Sequence, residues 1–167
     1  RKWLLVDQRF VADRPDVMVY STPVLTEALK ISGTAVVNLV ASTSGTDSDW
    51  VVKLIDVYPD EVASDPAMGG YQLPLAMDIF RGRYREGFEN EVFMEAGKVY
   101  KVAFDVGWLS QNFNKGHRIR VTVASTGAPF FEVNPNTGGP LTYEFPTDAV
   151  FAKKPVRHAK HPAARVM

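Results

Sequence analysis

Three arginines at alternate positions, Arg81, Arg83 and Arg85, stand in the run GYQLPLAMDIFRGRYREGF, residues 70–88, which contains no serine, cysteine or histidine. Period-two spacing puts all three on one face of a strand, with Phe80, Gly82 and Tyr84 on the other. Guanidinium groups bind carboxylates or face solvent; they do not attack carbonyls. Three like charges on one face repel, so that face is expected either to be wet or to meet a carboxylate-bearing surface. Phe130 and Phe131, followed by Asn134 and Asn136 in NPNTGG (134–139), suggest a second surface, because aromatics beside polar turn residues commonly form an interface. With Tyr71 near the start of the arginine run, these residues make up the candidate interdomain surface.

Other groups that could carry chemistry are sparse. No serine is flanked by the two glycines of a G-x-S-x-G nucleophile elbow, and all three histidines fall after residue 116, so an internal Ser-His-Asp triad is not expected. His158 and His161 sit at i and i+3, a metal-binding spacing on a helix, but Pro162 opposes that helix and no third ligand is spaced to join them. His117 opens a strand and is read as a sheet-edge or capping side chain. Asp47 and Asp49 in TDSDW offer two carboxylates where calcium takes six to eight oxygens, so ordinary turn chemistry is expected of them. Asp56 shares a strand face with Val52 and Leu54 and needs donors there; the arginines of residues 81–85 are the candidate partners.

The elements that must position these groups are strands. VYKVAFDV (99–106) and HRIRVTVAS (117–125) alternate apolar and polar residues as half-buried strands do. TAVVNLVAS (34–42) and WVVKLIDV (50–57) are apolar or β-branched at nearly every position, as in strands covered on both faces. DVMVYST (16–22) and AMDIFRGRYRE (76–86) complete the set, the latter preceded by a Pro-containing loop. Gly-, Pro- and Asx-rich turns separate them. TPVLTEALKI (22–31) is the one place for a short helical turn, and the final KKPVRHAKHPAARVM reads as an extended tail. The expectation is an all-β antiparallel sandwich of about eight or more strands, with long jelly-roll or Greek-key connections.

The chain has 167 residues, 46% apolar and 23% charged, within the range of one domain. Nineteen basic and nineteen acidic residues cancel, leaving no bulk field to draw nucleic acid or an anionic membrane surface. With no cysteine, disulfides and thiolate sites are excluded, and cytoplasm and periplasm or secretion stay open as locations. The start at Arg1-Lys2-Trp3, without an initiator Met or an apolar leader, reads as a boundary within a longer protein.

Taken in order, DQRFVADRPDVMVYSTPVLTEALKISGTAVVNLVASTSGTDSDWVVKLIDVYPD, GYQLPLAMDIFRGRYREGF, KGHRIRVTVAS and VNPNTGG resemble the C-terminal jelly-roll domain of the cocaine-esterase and X-Pro dipeptidyl-peptidase family of serine hydrolases. DPAMGGYQLPLAMDIFRGRYR (65–85) is most similar to the branch of α-amino acid ester hydrolases and glutaryl-7-aminocephalosporanic acid acylases. The resemblance covers nearly the whole chain, including HAKHPAARVM, which looks like the family's closing strand cut just before its end. It implies a galactose-binding-like jelly roll spanning residues 1–167 as a single domain, without cofactor, metal or catalytic residue of its own. It also implies an α/β-hydrolase domain with the triad, and a helical cap, upstream of Arg1. This chain would pack on those domains as partners; homo-oligomer formation stays open. A free-standing carbohydrate- or ligand-binding jelly-roll module is the alternative, although Trp3, Trp50 and Trp108 are scattered along the chain rather than grouped for stacking on a sugar.

Overall fold

A computed structural model of the chain describes residues 6–140, 146–158 and 161–166. Its strands are β1 (Val17–Ser21), β2 (Leu29–Ala41), β3 (Asp49–Val57), β4 (Gln72–Arg81), β5 (Tyr100–Phe113), β6 (Arg118–Ala124), β7 (Lys154–His158) and β8 (His161–Val166). They form two four-stranded sheets, ordered β1-β6-β3-β4 and β5-β2-β7-β8, an all-β sandwich. Among the described strands, only β3–β4 and β7–β8 are neighbours in both chain and sheet, so most pairing waits on long loop closures.

Burial follows the side-chain chemistry. Among the described residues β3 is deeply covered, with Trp50, Val51, Val52 and Ile55 all at 2% exposure or less, as its mostly apolar sequence, interrupted by Lys53 and Asp56, requires. β2 differs from expectation: over Lys30–Asn38 exposed and half-buried residues alternate, so one face is wet and the β-branched residues there reflect strand propensity rather than double burial. β5 alternates as predicted from Tyr100 and runs on to Phe113; at Gly107 (φ +102°) the alternation slips by one residue, leaving Trp108 85% exposed.

Three expectations are corrected. Pro74 lies inside β4, not in a loop before it, and β4 is the edge of its sheet, where a missing N–H is tolerated. The helical turn forms at α1 (Arg9–Ala12), whereas residues 22–28 lack helix. The tail is a hairpin: β7 and β8 pair antiparallel, with Val156 opposite Ala164.

By internal packing the chain forms two units. The first comprises Arg1–Val36, Val52–Asp78 and Asp105–Val123, with Met18, Ile55 and Phe113 in its core. The second comprises Val37–Val51, Ile79–Phe104 and Ala124–Met167. Its core centres on Trp50, whose ring lies 6.3 Å from Phe80; Phe80 in turn stacks on Phe104 at 5.5 Å.

Candidate functional site

The three arginines do not share a strand face. β4 stops at Arg81, and Gly82–Tyr84 turns as a 3₁₀ helix that carries Arg83 into the interior of the second unit. The turn is fastened through its backbone: Gly82 N–H donates to Ser48 O (2.8 Å) and Val92 N–H to Arg83 O (2.8 Å). Glycine is required at 82 by close approach, since a Cβ there would lie 2.5 Å from Met94 Sδ and 2.9 Å from Ser48 O.

Arg83 is fully buried and held by Asp47, itself fully buried. Its backbone N–H donates to Asp47 Oδ1 (3.0 Å) and its Nε to Asp47 Oδ2 (2.7 Å), a two-point grip. Nη1 donates to Gly139 O (2.9 Å) and Glu91 Oε1 (3.1 Å), and the Phe93 ring centroid lies 5.3 Å from Cζ. Burial works against the Arg83 cation, but the Asp47 hydrogen bond and charge, helped by Glu91, outweigh it and raise the pKa. The Tyr84 hydroxyl donates to Glu91 Oε1 (2.9 Å); that bond, followed by the one from Arg83, lowers the carboxyl's pKa.

Asn134 joins the two aspartates, its Nδ2 donating to Asp47 Oδ2 (2.6 Å) and Asp49 Oδ1 (2.9 Å). The backbone N–H of Asn136, a residue at φ +62°, donates to Asn134 Oδ1 (2.8 Å) and so fixes which way that amide points. Arg81 lies against both Asp49 oxygens, Nε at 3.1 and 3.2 Å and Nη2 at 3.0 Å from Oδ2, and reaches Glu132 O. Desolvation nevertheless raises the Asp49 pKa, with Asn134 and Arg81 opposing. Arg85 donates to the carbonyls of Gly82, Val92 and Phe93 and lies over Tyr100 at 5.1 Å. Lys154, 2% exposed on β7, completes the cluster: desolvation lowers its pKa to about 8, against the pull of Asp49 and Asp47.

The cluster thus binds itself. The carboxylates that the arginines were expected to meet belong to their own unit, and Arg83 and Asn134 are interior residues, not parts of a surface. Arg81, Arg85, Phe131 and Asn136 are half-buried in the second unit, where Phe130 is 41% exposed. Tyr71 is half-buried in the first, edge-on to Tyr58 at 6.3 Å. The sequence reading singled out the Asp47–Asp49 pair but assigned it to turn chemistry, and missed Glu91 and Lys154.

Asp56 is corrected as well: its partners are His117, with Nδ1 2.8 Å from Asp56 Oδ1, and Gln111, whose Nε2 donates to Oδ2 at 3.2 Å. Both members of the His-Asp pair are buried, so His117 serves as the internal partner of Asp56 rather than as a sheet-edge cap. A histidine and an aspartate at this distance are two parts of a triad, but no hydroxyl bonds to them among the described residues. Backbone pairing puts His158 opposite His161 in the β7–β8 hairpin; their side chains lie outside the described residues. Among the described residues no group of three or more His, Asp or Glu is placed to hold a metal.

Residues 7–162 match the family model of the X-Pro dipeptidyl-peptidase C-terminal non-catalytic domain. The chain is 42% identical over 138 residues to the cocaine esterase of Rhodococcus sp. (strain MB1 Bresler), covering 83% of this chain and 22% of the esterase. Among solved structures it is similar to an aminopeptidase from a marine sediment Thaumarchaeota archaeon, with TM-score 0.89 and 45% identity over 98% of this chain and 27% of the aminopeptidase. An α-amino acid ester hydrolase matches with the same score, identity and coverage. The chain therefore spans about a quarter of the length of the proteins it matches.

Proposed function

Because this chain belongs to the family of X-Pro dipeptidyl-peptidase C-terminal non-catalytic domains, we propose that it serves as the C-terminal β-domain of a serine hydrolase cleaving ester or amide bonds. In that role it packs on α/β-hydrolase and cap domains upstream and holds their relative position. The serine of the upstream part attacks the carbonyl, its His-Asp pair moves the proton, and water releases the acyl group. The likeness to an esterase, an amino acid ester hydrolase and an aminopeptidase supports a substrate with an ester or amide carbonyl. Acylase action on glutaryl-7-aminocephalosporanic acid is the finer reading, resting on the resemblance of residues 65–85.

One observation carries the non-catalytic assignment within the chain: the Asp56–His117 pair is buried and bonded to Gln111, with no hydroxyl among its described partners. The Arg83 cluster fits a scaffold, since a buried ion pair tied at several points fixes the turn that carries Arg81 and Arg85. Phe130 and the 85%-exposed Trp108 are apolar surface for a partner to cover. The test is complementation: the hydrolase truncated before this domain should lose stability or turnover and regain it when the 167-residue chain is added. Full activity and stability of the truncated enzyme would overturn the role.

Trp108 also favours a second reading, a carbohydrate- or ligand-binding module in which its ring stacks on a sugar. Glycan-array binding abolished by Trp108→Ala would establish that reading, and an empty array would discard it.

A further inference from the structure

In the first unit a recess of about 760 Å³ is lined by three arginines, Arg9 from α1 and Arg118 and Arg120 from β6. Arg9 is already neutralised: its Nε and Nη2 each lie 2.6 Å from Asp7 Oδ2, and Nη1 reaches Gly69 O. Arg118 and Arg120 are not. Arg118 Nη1 donates to Thr22 O (3.2 Å) and Arg120 Nε to Ser21 Oγ (2.8 Å), both neutral acceptors. Neither arginine has a salt-bridge partner among the described residues. A guanidinium has five N–H donors, so most of theirs are left for another acceptor.

Two cations at i and i+2 on one strand face repel unless they are solvated or an anion lies between them. Burial and then the neighbouring Arg118 charge lower the Arg120 pKa, with Asp13 the one attraction opposing them. Asp60 is the acid in the lining. Part of the wall is glycine backbone at Gly69, Gly70 and Gly116, the last two at φ +65° and +89°.

We propose that this recess is a carboxylate-binding site, with Arg118 and Arg120 as the clasp. Arg9 is paired with Asp7, Asp13 attracts Arg120 without forming a salt bridge to it, and Asp60 stands in the lining, so the remaining field suits a singly charged carboxylate better than a doubly charged phosphate. The proposal stands on the recess alone and does not depend on the role proposed above. The carboxylate comes either as a free small molecule or as an Asp or Glu side chain of the longer hydrolase.

The test is titration of the 167-residue chain with sodium acetate, against sodium chloride at equal ionic strength, following the Nε–H resonances of Arg118 and Arg120 by NMR. Saturable, acetate-specific shifts at both are expected. Arg118→Gln and Arg120→Gln should each weaken binding about tenfold. Asp60→Asn leaves every arginine in place, and so reports even if those variants fold poorly; it should strengthen binding several-fold. Shifts that are linear in acetate, or equal in chloride, would overturn the proposal, as would affinity indifferent to all three substitutions. In the full-length hydrolase, labelling of the two arginines by phenylglyoxal separates the sources. Protection without added acetate identifies a side-chain occupant, and protection only with acetate identifies a free carboxylate.

Discussion

Replacing Arg83 by Met should destabilise the 167-residue chain by about 3–5 kcal/mol, because it leaves the Asp47 carboxylate buried without a cation, met only by Asn134 and by the backbone N–H of residue 83. An exposed pair sets the scale: Arg9, 54% exposed and paired with Asp7, should cost no more than about 1 kcal/mol when replaced. For a domain whose stability is about 5–15 kcal/mol, the Arg83 loss is a large fraction, and it lowers the melting midpoint by roughly 6–20 °C. Asp47→Leu alone strands the buried guanidinium with Glu91 and Gly139 O, and should cost a similar amount. The double variant is the decisive member, because removing both charges leaves no unpaired ion. Its cost should fall near or below that of either single change, a coupling of about 3 kcal/mol. Urea unfolding followed by fluorescence of Trp50, buried in the same unit, measures all four proteins. An Arg83→Met cost under about 1 kcal/mol, or costs that simply add in the double variant, would refute the view of this pair as an internal lock.

Lys154 gives the chain a pH dependence of defined sign. Its pKa falls from 10.5 to about 8 on folding, so below pH 8 both states hold the proton and the folded state bears a constant penalty of about 3 kcal/mol. Between pH 8 and 10.5 the unfolded chain keeps a proton that the folded chain has lost, and stability therefore rises with pH. Lys154→Met should be more stable than the parent at pH 7 by up to about 3 kcal/mol, with a gap that closes as the pH approaches 10. Urea midpoints at pH 7, 8, 9 and 10 read this, and parallel curves would contradict it. Gly82→Ala should cost about 1–3 kcal/mol, since Met94 can swing aside but the Ser48 carbonyl cannot. Adding Met94→Ala should therefore fail to restore the parent melting midpoint, and full restoration would show that the backbone approach is not the constraint.

The strands announced themselves where local pattern decides. β3 is buried because nearly every residue is apolar, and β5 alternates because its polar positions face water. The arginine run misled because period two was extended across Gly82, where the chain in fact turns. What makes that turn is distant in sequence: Ser48 O accepts from Gly82, and Asp47, 36 residues before Arg83, takes its side chain. Asn134 lies 87 residues from Asp47, and His117 lies 61 from Asp56, so neither pairing leaves a local signal. The same holds for the recess, whose Arg9 and Arg118 lie far apart in the chain. The β7–β8 hairpin was read as a tail because HPAAR carries neither alternation nor β-branched residues; its pairing is set by register with β7.

The most direct test of the scaffold role is hydrolysis of a p-nitrophenyl ester and an α-amino acid ester by the 167-residue chain beside the full-length hydrolase. The account predicts turnover by the full-length protein and none above buffer by the chain alone. Turnover by the chain that is lost with His117→Ala would contradict it, and would make the Asp56–His117 pair part of a catalytic centre.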